Sequence, residues 1–156
     1  MPDAAAEVQV NVRAAVPADL PRLSEMFDAY RVFYGQESKP AEGEAYLKRR
    51  FEKNDAVLFV AEVDGETVGF AQLYPTLSSV AMRRVWTLND LYVEEAHRQS
   101  GVAGALLDAV DGHARETGAS RLELSTARDN RAAQALYEKH GWIRDDVFIH
   151  YVRGVE

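Results

Sequence analysis

A chain of 156 residues, 47% hydrophobic and 28% charged, is long enough for one domain with a sizeable core, and its composition is neither disordered nor fibrous. With no cysteine, disulfides, thiolate-ligated zinc and a cysteine nucleophile are excluded, and a net charge of −7 argues against a duplex nucleic-acid surface, which needs a concentrated basic patch. The chain has no apolar run of the roughly 18 residues a membrane span needs, and MPDAAAEVQV lacks the basic start and apolar core of a leader, so a single cytoplasmic domain over 1–156 is expected.

The first segment, VQVNVRAA, alternates like a strand. VPADLPRLSEMFDAYRVF then reads as a helix with Asp19 as cap and Pro21 near its first position, ending near Gly35. AEGEAYLKRRFEKN has Tyr46, Leu47 and Phe51 at helical spacing, which predicts a second helix. AVLFVAEV and TVGFAQLYP are β-rich runs joined by Asp-Gly, a strong hairpin signal. After the loop TLSSVAM, RRVWTLNDLYV is long enough for a central strand. Ala103, Leu106, Leu107, Val110 and Ala114 mark one face of a third helix stopped by Gly118. RLELSTA is a further strand, NRAAQALYEKHG a short helix capped by Asp129 or Asn130, and DVFIHYVRG a last strand. The order β-α-α-β-β-β-α-β-α-β describes a mixed α/β domain.

The turn HRQSGVAGALL joins the central strand to the third helix. Backbone N–H groups of Gln99, Ser100, Gly101, Val102, Ala103 and Gly104 would stand at the positive end of that helix, where they suit an anion. Gly101 permits close approach, and Arg98 can add a charge-assisted contact. A Walker loop is excluded because GALL stands where GK and a hydroxyl residue are required. A dinucleotide fingerprint fails too, since GVAG lies mid-chain after an antiparallel hairpin.

Preceded by LNDLYVEEA and followed by STARDNRAAQALYEKHGW, this turn resembles the cofactor loop of the GCN5-related N-acetyltransferase (GNAT) family, with Arg98, Gly101 and Ala103 matching its pattern. Gly104 departs from it, standing where many members have a basic residue. The resemblance covers about 56–152 and implies the GNAT fold: a mixed, mostly antiparallel central sheet with splayed strands and about four flanking helices. It also implies acetyl-CoA as cosubstrate, its pyrophosphate in the glycine turn and its pantetheine arm paired along Leu91, Tyr92 and Val93, which would point one N–H at the thioester oxygen. By the same resemblance Asn130 binds the pantetheine arm and Tyr137 protonates the departing thiolate. These two are seven residues apart on one helix, about 10 Å along its axis, so one extended ligand could touch both.

A lysine-like amine arrives protonated and must lose a proton before it attacks. Where the polyamine branch of the family carries a glutamate, this chain has Asn89, which cannot take that proton. Asp90 is the nearest acidic alternative, although strand alternation sends it to the opposite face unless a bulge intervenes. His150 or water are the other choices. Tyr30, Phe33, Tyr34 and Glu37 cluster at the end of the first helix, where the family builds its acceptor pocket, and with Asn89 and Trp86 they form the candidate substrate contacts; aromatic faces with carboxylates suit a cationic amine. His97, His113 and His140 have no metal-ligand spacing, so no metal is expected. The expected activity is acetyl transfer from acetyl-CoA to a diamine, polyamine or lysine-like amine by direct attack in a ternary complex. A non-catalytic acyl-CoA sensor and a protein lysine or N-terminal acetyltransferase are the alternatives. The resemblance also implies a possible homodimer, while charge and the lack of a long apolar run lead to the expectation of no nucleic-acid or membrane partner.

Overall fold

In the computed structural model, which describes residues 8–156, β1 (Val10–Ala14) is followed by α1 (Leu20–Phe33), α2 (Pro40–Lys53), β2 (Val57–Val63), β3 (Glu66–Ser78), β4 (Arg83–Val93), α3 (Val102–Glu116), β5 (Arg121–Glu123) and α4 (Arg131–Lys139). The described residues fall into two compact units, divided between Ser125 and Thr126. The first contains one sheet in the order β1-β2-β3-β4-β5, antiparallel except for the parallel β4–β5 pair.

The β2–β3 hairpin forms as its sequence predicts. Asp64 and Gly65 both take positive φ, 52° and 79°, as a two-residue turn matched to strand twist requires. β3 runs three residues beyond the expected stop at Pro75, absorbing part of the loop TLSSVAM. Pairing with β2 ends at Leu73, so Pro75 sits where β3 has one strand neighbour, and its missing N–H is tolerated there.

Apolar residues cover both faces. Leu23, Met26 and Phe27 of α1, Leu47 of α2, Leu58 and Val60 of β2 and Phe70 of β3 make one core cluster. On the other face α3 buries Val102, Leu106, Leu107, Val110 and Ala114, the stripe its periodicity describes with Val102 in place of Ala103. Gly69 lets α3 and β4 come close: a Cβ there would lie 2.8 Å from the Tyr92 carbonyl oxygen and 3.3 Å from Val102 Cγ1.

Asp19 occupies the expected cap position, but its carboxylate caps nothing in α1. It accepts instead from Val16 N at 2.8 Å and from both terminal nitrogens of Arg13 at 2.7 Å, tying β1 to the helix entry. The Arg13 bonds hold its carboxyl below the ordinary range, against the opposing effect of burial. A lowered carboxylate stabilises the fold above its unfolded value, and that contribution disappears as pH falls through the folded value. Asp19→Asn is therefore expected to cost roughly 1–2 kcal/mol at neutral pH, discounted for the exposed side of Arg13. Urea denaturation of both proteins checks this: the gap should close on acidification below the usual aspartate range, and a gap constant with pH would reject the ionic account.

In the second unit α4 ends in a Schellman cap. Gly141 takes φ 86°, its N–H donates to Glu138 O at 3.1 Å, and Trp142 N–H donates to Tyr137 O at 3.0 Å. The ring contact that accompanies such a cap joins Tyr137 and Trp142, with centroids 6.0 Å apart. Two strand expectations are corrected. RLELSTA is reduced to the three residues of β5, and DVFIHYVRG pairs with no strand of the sheet. Its β-rich composition alone cannot make a strand, because main-chain N–H and C=O groups need a ladder partner. Val147, Phe148, Ile149, Tyr151 and Val152 are accordingly exposed. Among the described residues no helix is long and apolar enough to cross a membrane.

Candidate active site

β5 pairs only with Val85–Thr87, the first part of β4. Among the described residues no strand of the sheet joins β4 on that side from Leu88 to Val93, so this edge offers main-chain groups to an extended ligand. Leu91, Tyr92 and Val93 lie on this stretch. It leads directly into the glycine turn, anchored by Glu94 N–H donating to Val68 O at 2.9 Å. Ser100 Oγ donates to His97 O, Gln99 takes φ 61° and Gly101 takes φ 85°. A non-glycine residue in the left-handed region, as at Gln99, is a strained position that loop composition does not reveal.

Gly101 is the N-cap of α3, and no side chain caps that helix. The first intrahelical bond is Ala105 N–H to Gly101 O at 3.0 Å, so the N–H groups of Val102, Ala103 and Gly104 precede the ladder. Space around an added Cβ at Gly101 is open. Together with the helix dipole, these groups can bind a phosphate. Arg98 takes a structural part: its Nε donates to Val93 O at 2.9 Å, and its guanidinium lies about 6 Å from the rings of Phe33 and Tyr92.

The aromatic residues ending α1 form a continuous edge-to-face series, with centroids 5.3 Å apart for Phe33–Tyr34, 4.9 Å for Tyr34–Tyr30 and 6.0 Å for Tyr30–Phe70. Phe33, read as a substrate contact, thus also supports the residue that closes the glycine turn. Tyr30 donates to the main-chain oxygen of Asn89 at 3.1 Å. Glu37 is exposed, and its carbonyl accepts from Arg31 at 3.0 Å.

A bulge intervenes at Asn89. Gln72 pairs with Asp90 and Leu73 with Leu88, which leaves Asn89 as the extra residue and reverses the faces beyond it. Before the bulge Trp86 faces α3, donating from its indole to Thr117 Oγ1 at 2.8 Å and packing 4.9 Å from His113. After the bulge Asp90 and Tyr92 face α1. The bulge therefore brings Asp90 to Tyr30 and takes Trp86 away from it. Trp86 is only 6% exposed and belongs to the α3 core, which corrects its reading as a substrate contact.

Asp90 is buried and accepts from Gln72 Nε2 at 2.6 Å and Asn89 Nδ2 at 3.0 Å. Burial pushes its carboxyl above the ordinary range, while the bonds from Gln72, Asn89 and Tyr30 oppose the rise. A buried carboxyl with a raised proton affinity beside an aromatic cluster is equipped to take a proton. Composition draws no attention to Gln72, which lies in an apolar run; its one sequence signal is being polar within a strand that otherwise reads as core.

In the second unit, Asn130 is the N-cap of α4, its Oδ1 accepting from Ala133 N–H at 3.3 Å. Tyr137 sits in the Schellman cap described above. His150 lies in the exposed tail. No group of three or more His, Asp or Glu that could hold a metal occurs among the described residues.

Residues 23–142 match the model of the Acetyltransferase (GNAT) family, a stretch that runs through both units. The uncharacterized N-acetyltransferase YhfO of Bacillus subtilis (strain 168) is 43% identical over 146 residues, covering 94% of this chain and 98% of YhfO. The D-amino-acid N-acetyltransferase HPA3 of Saccharomyces cerevisiae (strain ATCC 204508 / S288c) is 29% identical, over 89% of this chain and 88% of its own length. A crystal structure of a probable acetyltransferase superposes with a TM-score of 0.90 at 38% identity, covering 94% of this chain and 98% of the other.

Proposed function

Since this chain belongs to the GNAT family of acetyl-CoA-dependent acyltransferases and has its mixed α/β fold, we propose that it acetylates the primary amine of a small cationic molecule, a diamine, polyamine or lysine-like compound. The observation that carries the acceptor class is the aromatic series of α1 ending at the Tyr30 hydroxyl, beside the buried Asp90. Aromatic faces attract an ammonium group, and a carboxylate supplies both charge complement and proton acceptor. A relative named as a D-amino-acid N-acetyltransferase supports a small-molecule acceptor.

In this reading the unpaired edge of β4 binds the pantetheine arm and the opening of α3 binds the pyrophosphate. A main-chain N–H of Leu91–Val93 stabilises the negative charge that builds on the thioester oxygen as the amine attacks. With no cysteine in the chain a cysteine-bound acetyl intermediate is excluded, and in this reading acetyl passes directly to the amine nitrogen in a ternary complex. The thiolate leaves with the C–S electron pair and takes a proton from Tyr137. Cytoplasmic location and a homodimer complete the proposal, the latter supported by the exposed apolar side chains of 147–152.

The test is to incubate the protein with acetyl-CoA and a panel of diamines, polyamines, amino acids and peptides while following free thiol. Saturable thiol release with a small cationic amine is expected. Thermal protection by acetyl-CoA without release by any acceptor would favour a non-catalytic sensor, and release only with peptides would favour a protein acceptor.

A further inference from the structure

Gln72 is fully buried in the middle of β3, between Ala71 and Leu73, which are also fully buried. An amide in such a place is costly unless both of its ends are bonded. One end is: Nε2 donates to Asp90 Oδ2 at 2.6 Å. The other, Oε1, is buried without a hydrogen-bond partner. An apolar side chain of the same size would avoid that penalty.

The arrangement has a physical reason if Asp90 changes protonation state. An ionised carboxylate only accepts hydrogen bonds, and the amide nitrogen meets that need. A protonated carboxyl also donates, and then the amide oxygen is the required partner. A half-turn of the terminal amide exchanges the two ends, which have similar size. Glutamine is thus matched to both forms of its neighbour, whereas leucine would be matched to neither.

We propose that Gln72 is a positioning residue that holds Asp90 in both protonation states, and that Asp90 receives, through the Tyr30 hydroxyl, the proton lost by the acceptor ammonium. This rests on the amine-transfer reading above. At 4% exposure Asp90 is set back from solvent, and the Tyr30 hydroxyl, which donates to the main-chain oxygen of the adjacent Asn89 at 3.1 Å and also bonds the Asp90 carboxylate, supplies the connection. The ammonium gives one proton to the Tyr30 oxygen as the hydroxyl proton passes to Asp90. The neutral amine then forms the C–N bond to the acetyl carbon while the C–S bond breaks. The second nitrogen proton replaces the one that Tyr137 gives to the thiolate, and Asp90 later returns its proton to solvent by the reverse route.

The titratable and charged groups on the same side of the sheet as Asp90 are Tyr30 of α1, Tyr46 and Arg50 of α2, Tyr74 of β3 and Tyr92 of β4. The Tyr46 and Tyr74 hydroxyls bond to each other at 2.7 Å, and burial, that bond and the Asp90 charge all push Tyr74 up, away from ionisation. Arg50 lies over the Tyr46 ring at 4.6 Å and pairs with Asp55 at 3.2 Å, so its charge is already balanced.

The experiment titrates the Asp90 carboxyl directly, by the infrared carboxylic C=O band that Asp90→Asn removes, and compares it with the pH profile of kcat/KM for an accepted amine. The Gln72 bond to the ionised form is charge-assisted and stronger than the one to the protonated form, so losing both, as in Gln72→Leu, should raise the Asp90 midpoint by about one pH unit, a tenfold gain in proton affinity. The acid limb of kcat/KM should move by the same amount, and Gln72→Met serves if the leucine variant does not fold. A band that moves while the limb stays fixed overturns the proton-path role and leaves Gln72 structural. A band that does not move overturns the coupling itself. If the band moves but no amine supports turnover in the wild type, the acceptor reading fails, and the proton path with it.

Discussion

Replacing Tyr137 by phenylalanine is expected to lower kcat on the order of 100-fold while leaving the affinity for acetyl-CoA within about threefold of wild type. The ring of residue 137 makes the contact with Trp142 that closes the α4 cap, and the cap's two main-chain bonds need no hydroxyl. Phenylalanine keeps ring, cap and helix, so the substitution isolates the O–H group. If that group protonates the thiolate, the loss falls on the transition state and hence on kcat. Stopped-flow thiol release and calorimetric titration with acetyl-CoA separate the two quantities. Full turnover at every pH would remove Tyr137 from the proposed chemistry, and a parallel fall in affinity would make it a binding residue.

The second large effect concerns packing. Gly69→Ala is expected to destabilise by about 1–3 kcal/mol, a fall in Tm of roughly 3–10 °C for a chain of this size. The added Cβ would lie 2.8 Å from the Tyr92 carbonyl oxygen, with Val102 and Leu106 side chains also at 3.3 and 3.4 Å. The side chains can yield by tenths of an ångström; the main-chain oxygen moves only with β4 itself. Gly112→Ala in α3 is the contrast, because nothing lies within 4 Å of its added Cβ. There the same methyl group should stabilise by about 0.5–1 kcal/mol through helix propensity. Calorimetric scans of both variants decide the matter: a Gly69→Ala protein as stable as wild type, or more so, would mean that the close approach at Gly69 is not a constraint.

How far the sequence reveals this architecture depends on whether a feature is local. The Asp-Gly hairpin, the stripe from Leu106 to Ala114 and the stop at Gly141 each follow from a few adjacent residues, and each is found where periodicity and turn chemistry place it. The last strand fails because strand formation is a property of pairs. DVFIHYVRG has the composition, but the ladder that would pair it is not local information. Parity along β4 fails for a related reason. Nothing in RRVWTLNDLYV announces that Asn89 is the unpaired residue, so alternation alone would set Trp86 and Asp90 on one face, which the bulge separates. The glycine turn is legible through its motif, whereas the demand at Gly69 arises from β4 and α3 jointly and leaves no mark in the surrounding residues.

The bulge at Asn89 also divides β4 into two stretches under different constraints. From Val85 to Leu88 the strand serves the core under α3, and from Asp90 to Val93 it serves the polar cluster under α1 and the edge where an extended ligand can pair. Because a one-residue offset separates them, a repacking around Trp86 need not propagate as a change of face to Asp90. The chain can thus vary its interior on one side of the offset for durability and its ligand-facing side for selectivity, with each adjustment largely independent of the other.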